Sequence, residues 1–394
     1  MKKIKFILTI FLLFIIYAYV SYVSLIPNTV TLLNNENIHF RRIPLIKIVE
    51  TTTTSLNNSN VINMEFKLFG NITLKSTTLT KIEKLKVVPV GKIIGLKLYT
   101  NGVLIVGISE SEDESKYSKT DINPGDTILE IDGKLVNSIK TLKEIVNKSD
   151  GRKLELTILR NGKVLNTNII PTKVEGEKYQ LGLWVKDAAT GVGTMTFYEP
   201  KSKKFAILGH GITDSDTNNL INIDYGDLVT AKVISLQRGI ENEPGEIKGT
   251  IINSQSIGEI DKNTQFGVFG MLNNLTSLNI DTSKEIEIAS RDEIKEGEAK
   301  ILCSINTSNI PKEYKIEIEK IYKENDYNNK SMLIKIVDEE LLNETGGIIR
   351  GLSGAPIIQN NKFIGAVTNV LVSNPEIGYA VFADMMIKEI NLVD

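Results

Sequence analysis

The chain of 394 residues holds a single cysteine, Cys303, and only two histidines, His39 and His210. One cysteine excludes an internal disulfide framework and any thiolate cluster for zinc or iron–sulfur. Its neighbours Ala299, Ile301 and Leu302 are apolar, so Cys303 reads as a buried thiol. Two imidazoles cannot build a three-histidine metal site, so no metal or other cofactor is expected, and any imidazole base must be His39 or His210. An excess of charge is also missing: 46 basic residues face 48 acidic ones, a formal charge of −2, which provides no global field for recruiting nucleic acid.

What is present points to several modules, since domains run to roughly 100–200 residues. Lys2, Lys3 and Lys5 precede an apolar run from Phe6 to Pro27. About 20 such residues let a helix cross the bilayer. No small-x-small cleavage site closes the run, because Ala18-Tyr19-Val20 ends in a bulky residue. Residues 1–27 are therefore expected to be an uncleaved transmembrane anchor, with the basic end in the cytoplasm and everything after Pro27 on the other face. Residues 28–86 read as a small β-rich domain, from alternations such as Asn63-Met64-Glu65-Phe66-Lys67-Leu68. Within it Thr51 to Ser55 with Asn57 and Asn58 reads as a polar loop, and His39 beside Arg41 and Arg42 as surface or spacer.

Residues 87–173 carry a more specific order. Ile94-Gly95-Leu96-Lys97 precedes a strand Val103 to Val106, an acidic insert Glu110 to Glu114, the turn Asn123-Pro124-Gly125-Asp126 and the hairpin Asp132-Gly133. An amphipathic helix with Leu142, Ile145 and Val146 follows, then a strand Leu154 to Arg160 and an Asn161-Gly162 turn. This order resembles the PDZ domains attached to bacterial serine proteases. The resemblance implies an extended peptide bound at a sheet edge, with Ile94, Gly95, Leu96 and Lys97 as loop and strand and with Leu142 and Ile145 lining the groove.

Residues 174–394 contain short apolar strands parted by turns, the pattern of an all-β barrel or sandwich. Leu208-Gly209-His210-Gly211 sets an imidazole at a strand end between glycines. Gly351-Leu352-Ser353-Gly354-Ala355-Pro356 lets the backbone bend sharply, exposing the Ser353 hydroxyl and leaving the amides of Gly351 and Ser353 to receive an oxyanion. A serine needs a neighbouring base to become nucleophilic, and His210 is the only imidazole in this half. Asp338, after the strand Met332 to Val337, is one choice for the third group; Asp214, Asp216, Asp224 and Asp227 compete with it.

The whole arrangement is similar to the stage IV sporulation protein B peptidase family of endospore-forming bacteria. The similarity runs through Gly182-Leu183, Gly191-Val192-Gly193-Thr194-Met195-Thr196-Phe197-Tyr198-Glu199-Pro200, Leu208-Gly209-His210, Gly346-Gly347 and the Gly351 segment. It implies a mainly β protein with a chymotrypsin-like double β-barrel and catalytic positions at His210, Asp338 and Ser353. A supporting threonine falls on Thr368; Asn369 stands where the family often has a histidine. The family role implied is a signalling endopeptidase in the space between forespore and mother-cell membranes. There it cleaves itself and a regulatory membrane-protein complex, with its own N-terminal region or that complex as PDZ ligand. Two other readings are a catalytically silent PDZ scaffold for membrane partners and a broad quality-control protease.

Overall fold

The computed structural model describes residues 29–33, 45–56, 59–82, 85–109, 121–174, 176, 178–323 and 328–390, with Tyr17 and Ser21 besides. Apart from those two residues the expected anchor lies outside this set, as do His39 and the acidic insert. Among the described residues no helix is long and apolar enough to cross a membrane.

The chain forms two compact units, one comprising the chain up to Lys86 with Glu287–Ile294 and the other Val87–Ile286 with Lys295–Ile390. The first contains a four-stranded sheet of β1 (Thr29–Leu33), β2 (Ile46–Leu56), β3 (Ser59–Leu68) and β4 (Ile72–Ile82), in the order β1-β4-β3-β2. The expected polar loop at Thr51 to Ser55 is part of β2, since β-branched threonine fits an extended pleat as well as a turn.

The second unit opens with a 23-residue strand, β5 (Lys86–Ile108). Then come β6 (Thr127–Ile131), β7 (Lys134–Leu135), helix α1 (Ile139–Lys148), β8 (Leu154–Arg160), β9 (Lys163–Ile169) and the short pair β10 (Thr172–Lys173) and β11 (Tyr179–Gln180). The 17-residue strand β12 (Leu183–Glu199) then runs back antiparallel along β5, from Leu183 opposite Ile108 to Tyr198 opposite Val88. The Ser138 hydroxyl accepts the Thr141 amide at 3.1 Å and starts α1, which turns Leu142 and Val146 onto Val103, Ile105, Ile128, Leu156 and Ile158. Both hairpin turns foreseen in this region have positive φ at both central residues: Asp132 and Gly133 at 50° and 71°, Asn161 and Gly162 at 50° and 75°.

The first barrel is completed by β13 (Lys204–Ile207), β14 (Ile223–Gln237), β15 (Glu246–Thr264) and β16 (Gly267–Leu272). Antiparallel pairing runs β5-β12-β13-β16-β15-β14 and back to β5, a closed ring filled by Ile94, Leu96, Leu98, Phe205, Ile207 and Leu228. The PDZ-like module is thus inserted in a barrel hairpin: β5 and β12 each run through both. The expected division into 87–173 and 174–394 follows chain order, whereas in space residues 87–98 of β5 belong to the barrel and Val103–Ile108 to the module.

After β17 (Ile286–Ile288) a second ring forms from β18 (Gly297–Cys303), β19 (Lys312–Ile321), β20 (Met332–Ile336), β21 (Pro356–Gln359), β22 (Lys362–Leu371) and β23 (Asn374–Phe382). It closes as β18-β19-β20-β23-β22-β21 and back to β18. Helix α2 (Glu339–Thr345) lies between β20 and β21, and α3 (Ala383–Glu389) follows β23. Alternation sets Tyr314, Ile316 and Ile318 of β19 inward. Cys303 is 1% exposed, and burial pushes its thiol well above the ordinary range, as expected of an inert core cysteine. Phe197 of the first barrel meets Phe363 of the second edge to face, with centroids 5.3 Å apart. The barrel expected from strand spacing is therefore a pair of barrels.

Candidate active site

His210 leaves the end of β13 through a tight turn. The Gly209 amide donates to the Ile207 carbonyl at 2.9 Å, closing a three-residue turn around Leu208, whose φ is 72°. Such a positive-φ γ-turn is strained, and a non-glycine residue in that half of φ costs about 1–2 kcal/mol. The turn is held by burial of the Leu208 side chain and by its amide, which donates to the Thr194 carbonyl at 3.1 Å. At Gly209, φ 69°, an added Cβ would lie 3.2 Å from Thr368 Cγ2 and 3.3 Å from Val381 Cγ1, so bare backbone is pressed against the second barrel.

The half-buried His210 has Nδ1 2.9 Å from the Gly211 carbonyl oxygen. A carbonyl only accepts, so Nδ1 carries the proton and Nε2 keeps its lone pair. Burial holds the imidazole below its ordinary pKa, partly offset by the bond to Gly211. The ring is consequently neutral at pH 7, the state required of a general base.

Ser353 sits in the bend that leads into β21. Gly351 and Gly354 have φ of 100° and 94°, and Leu352 is fully buried as the anchor between them. A Cβ at Gly354 would lie 2.3 Å from the Thr194 oxygen and 2.6 Å from the Leu208 nitrogen, so the serine bend rests directly on the histidine turn. His210 and Ser353 open on one cleft of about 960 Å³, also lined by Thr190, Leu208, Arg350 and Gly351. The Ser353 hydroxyl donates to the Thr368 carbonyl at 2.6 Å. Among the described residues the amides of Gly351 and Ser353 donate no hydrogen bond, while their neighbours do: Leu352 to Ile349 and Gly354 to Val367. Two amides without acceptors beside a serine hydroxyl are the donors that a developing oxyanion needs.

The structure does not bring Asp338 to the imidazole. One of its oxygens accepts the amides of Glu340 and Leu341 at 3.1 and 3.2 Å, the other the Lys315 amide at 3.1 Å, which makes it the N-cap of α2. The competing acids are placed elsewhere too. Asp214 and Asp216 both bind Lys186, and Asp224 and Asp227 lie on β14. Among the described residues no carboxylate lines the cleft; the Gly211 carbonyl holds the position beside Nδ1 that sequence reasoning reserved for an acid. Thr368 supports Ser353 through its backbone oxygen, whereas its hydroxyl donates to the Asn329 carbonyl at 2.9 Å. Asn369 lines the cleft.

The expected peptide-binding residues separate. Ile94, Gly95, Leu96 and Lys97 are central in the first barrel, paired with β12 on one side and β14 on the other, and Ile94 and Leu96 are at most 1% exposed. A strand flanked on both edges has no backbone left for a peptide. Ile145 packs on the PDZ-like core, while Leu142 lines a groove of about 250 Å³ with Val146, Leu181, Gly182, Leu183 and Val185. There, among the described residues, β12 pairs only with β5, which leaves its edge beside α1 open. Leu181-Gly182-Leu183 repeats the apolar-Gly-Leu pattern of Ile94-Gly95-Leu96. That repeat is the sequence signal for the strand that lies along this groove.

Comparison with known proteins agrees with these two parts. Residues 94–170 match the PDZ domain family, and residues 177–387, more than half of the chain, match the family described as SpoIVB peptidase S55. Among solved structures, the PDZ domain of the SdrC-like protein from Listeria monocytogenes is 18% identical over 22% of this chain and 90% of its own, with a TM-score of 0.19. The HtrA-type protease AlgW with a decapeptide is 9% identical over 76% of this chain and 63% of its own, with a TM-score of 0.30. With its paired barrels, its Ser353 bend and the matched span, the chain belongs to the SpoIVB peptidase S55 family of serine peptidases and carries a PDZ domain.

Proposed function

We propose that the chain is a serine endopeptidase in which Ser353 is the nucleophile, His210 its base, and the amides of Gly351 and Ser353 the oxyanion donors. The observation that supports this most is the shared cleft: the two side chains come from different barrels yet line one cavity, beside two amides that have no acceptor. Rotation of the Ser353 side chain from the Thr368 carbonyl to Nε2 of His210 would begin the reaction. Oγ attacks the scissile carbonyl as Nε2 takes its proton, the oxyanion meets the two amides, and the imidazolium then protonates the departing amine. Water repeats the sequence to release the acyl group. The Gly211 carbonyl fixes the tautomer and faces the positive ring, and Asp338 serves the helix.

Family membership and the sequence together support a sporulation signalling role. In this reading an N-terminal anchor sends the barrels outside the cytoplasm, between forespore and mother-cell membranes. The substrates are the chain's own N-terminal region and a regulatory membrane protein whose cleavage triggers late mother-cell sigma-factor activation. The groove between α1 and Leu181–Val185 holds a peptide of one of them as an added strand. A fluorophosphonate probe is expected to label wild-type protein at Ser353 and leave Ser353→Ala unlabelled. Equal labelling of the two, or none of folded wild type, removes the nucleophile. A silent scaffold would instead signal normally as Ser353→Ala.

A further inference from the structure

The oxyanion donors belong to a loop made pliable by glycine, and the loop is pinned from outside. In the trans peptide joining Arg350 and Gly351 the carbonyl and the N–H point in opposite directions. The Arg350 carbonyl accepts the Ile247 amide at 2.8 Å, and a Cβ on Gly351 would fall 2.9 Å from Ile247 Cβ. The Gly351 N–H is therefore turned away from the Ile247 amide, and Gly351 lines the cleft. The next carbonyl, that of Gly351, accepts the Thr194 hydroxyl at 2.6 Å. Thr194 is fully buried, and its own carbonyl takes the Leu208 amide of the histidine turn at 3.1 Å. One residue of β12 thus bonds both turns, through its side chain to the serine bend and through its backbone to the histidine turn.

We propose that Thr194 is a positioning residue for peptide hydrolysis: the Ile247 bond sets the peptide that carries the Gly351 N–H, and the Thr194 hydroxyl, by holding the next carbonyl, keeps the bend so folded that the Gly351 and Ser353 amides converge on the position of the oxyanion. The proposal rests on the peptidase reading above. Gly351 has no side chain of its own to keep φ at 100°, so the orientation of the peptides around it depends on what grips their carbonyls. Without the hydroxyl the half-buried carbonyl loses this partner, and rotation of the pliable segment is its way to another. The effect falls on the transition state, where the oxyanion exists, and not on ground-state peptide binding.

The test compares Thr194→Val, which keeps the shape and loses the hydroxyl, with Thr194→Ser, which keeps the hydroxyl. Each is assayed on an internally quenched peptide and for affinity to a peptide trifluoromethyl ketone and to a cleaved product peptide. Thr194→Val is expected to lose about ten- to a hundredfold in kcat, with KM within about threefold, a parallel loss of ketone affinity and unchanged product affinity. Thr194→Ser should recover to within about threefold of wild type. Should the valine protein not fold, Thr194→Ala replaces it. Full kcat without the hydroxyl overturns the proposal, as does a loss of ketone and product affinity in equal measure, the mark of general loosening. A wild-type enzyme that neither hydrolyses the peptide nor takes the fluorophosphonate fails the peptidase reading itself, a separate result.

Discussion

The serine bend reaches positive φ with glycine at 351 and 354, whereas the histidine turn forces Leu208 to φ 72° and follows it with Gly209. Glycine enters that region without a Cβ clash, so the first bend is written openly in the chain. Leucine enters it only when packing overrules its preference, here through the buried side chain and the bond to Thr194. The pair of turns shows that the geometry of one cleft can be stored in composition on one side and in tertiary contacts on the other.

The two turns would differ most if only one side carried chemistry. Ser353→Ala and His210→Ala are each expected to lose about 10⁶ in kcat, and the double variant no more than either alone, measured by quenched-peptide hydrolysis. Residual activity well above this in His210→Ala would make the histidine turn structural. Where the turns touch, Gly354→Val should clash with the Thr194 oxygen and the Leu208 nitrogen, costing about 3 kcal/mol or more in denaturant unfolding together with activity.

Asp338 belongs to neither turn. As a helix cap it should tolerate Asp338→Asn with kcat within about threefold, whereas Asp338→Ala should lose about 1 kcal/mol of stability. A loss nearer to 10⁴ in the asparagine variant, the size seen when a triad aspartate is so replaced, would restore it as the third catalytic group. The smallest effect is in pH. His210 is depressed by burial, so kcat/KM should be full at neutral pH and fall on acidification, with a midpoint below the ordinary imidazole value of about 6.5. The unfolded ring takes up its proton first as pH falls, so stability is present above the unfolded value and declines through the same window, and His210→Gln should remove this part of the stability dependence.

Much of the local structure was legible. The alternation at Asn63 to Leu68, the helix of Leu142 and Val146, and the Asn-Gly and Asp-Gly hairpins appear where short-range rules set them, because those rules depend on side-chain period and φ alone. The strand beside the helix is not legible in the sequence, because Ile94-Gly95-Leu96 and Leu181-Gly182-Leu183 are locally alike. Only strand pairing tells them apart: the first is enclosed between two neighbours and the second has an open edge. Asp338 is ambiguous in the sequence for a related reason. An aspartate followed by Glu339, Glu340 and Leu341 already carries the signature of a helix start, yet chain order suited the triad as well.

By itself the sequence determined that His210 is the one imidazole available to the barrels, that glycine frees the bend at Ser353, and that strands and turns dominate from Val87 onward. Tertiary structure alone decided that β5 and β12 serve module and barrel together, that Asp338 turns to a helix, and that Thr194 grips both turns. The physical reason is range. Propensity and periodicity act over a few residues, whereas Thr194 and Gly351, like β5 and its partners β12 and β14, are far apart in sequence and meet only when the chain folds.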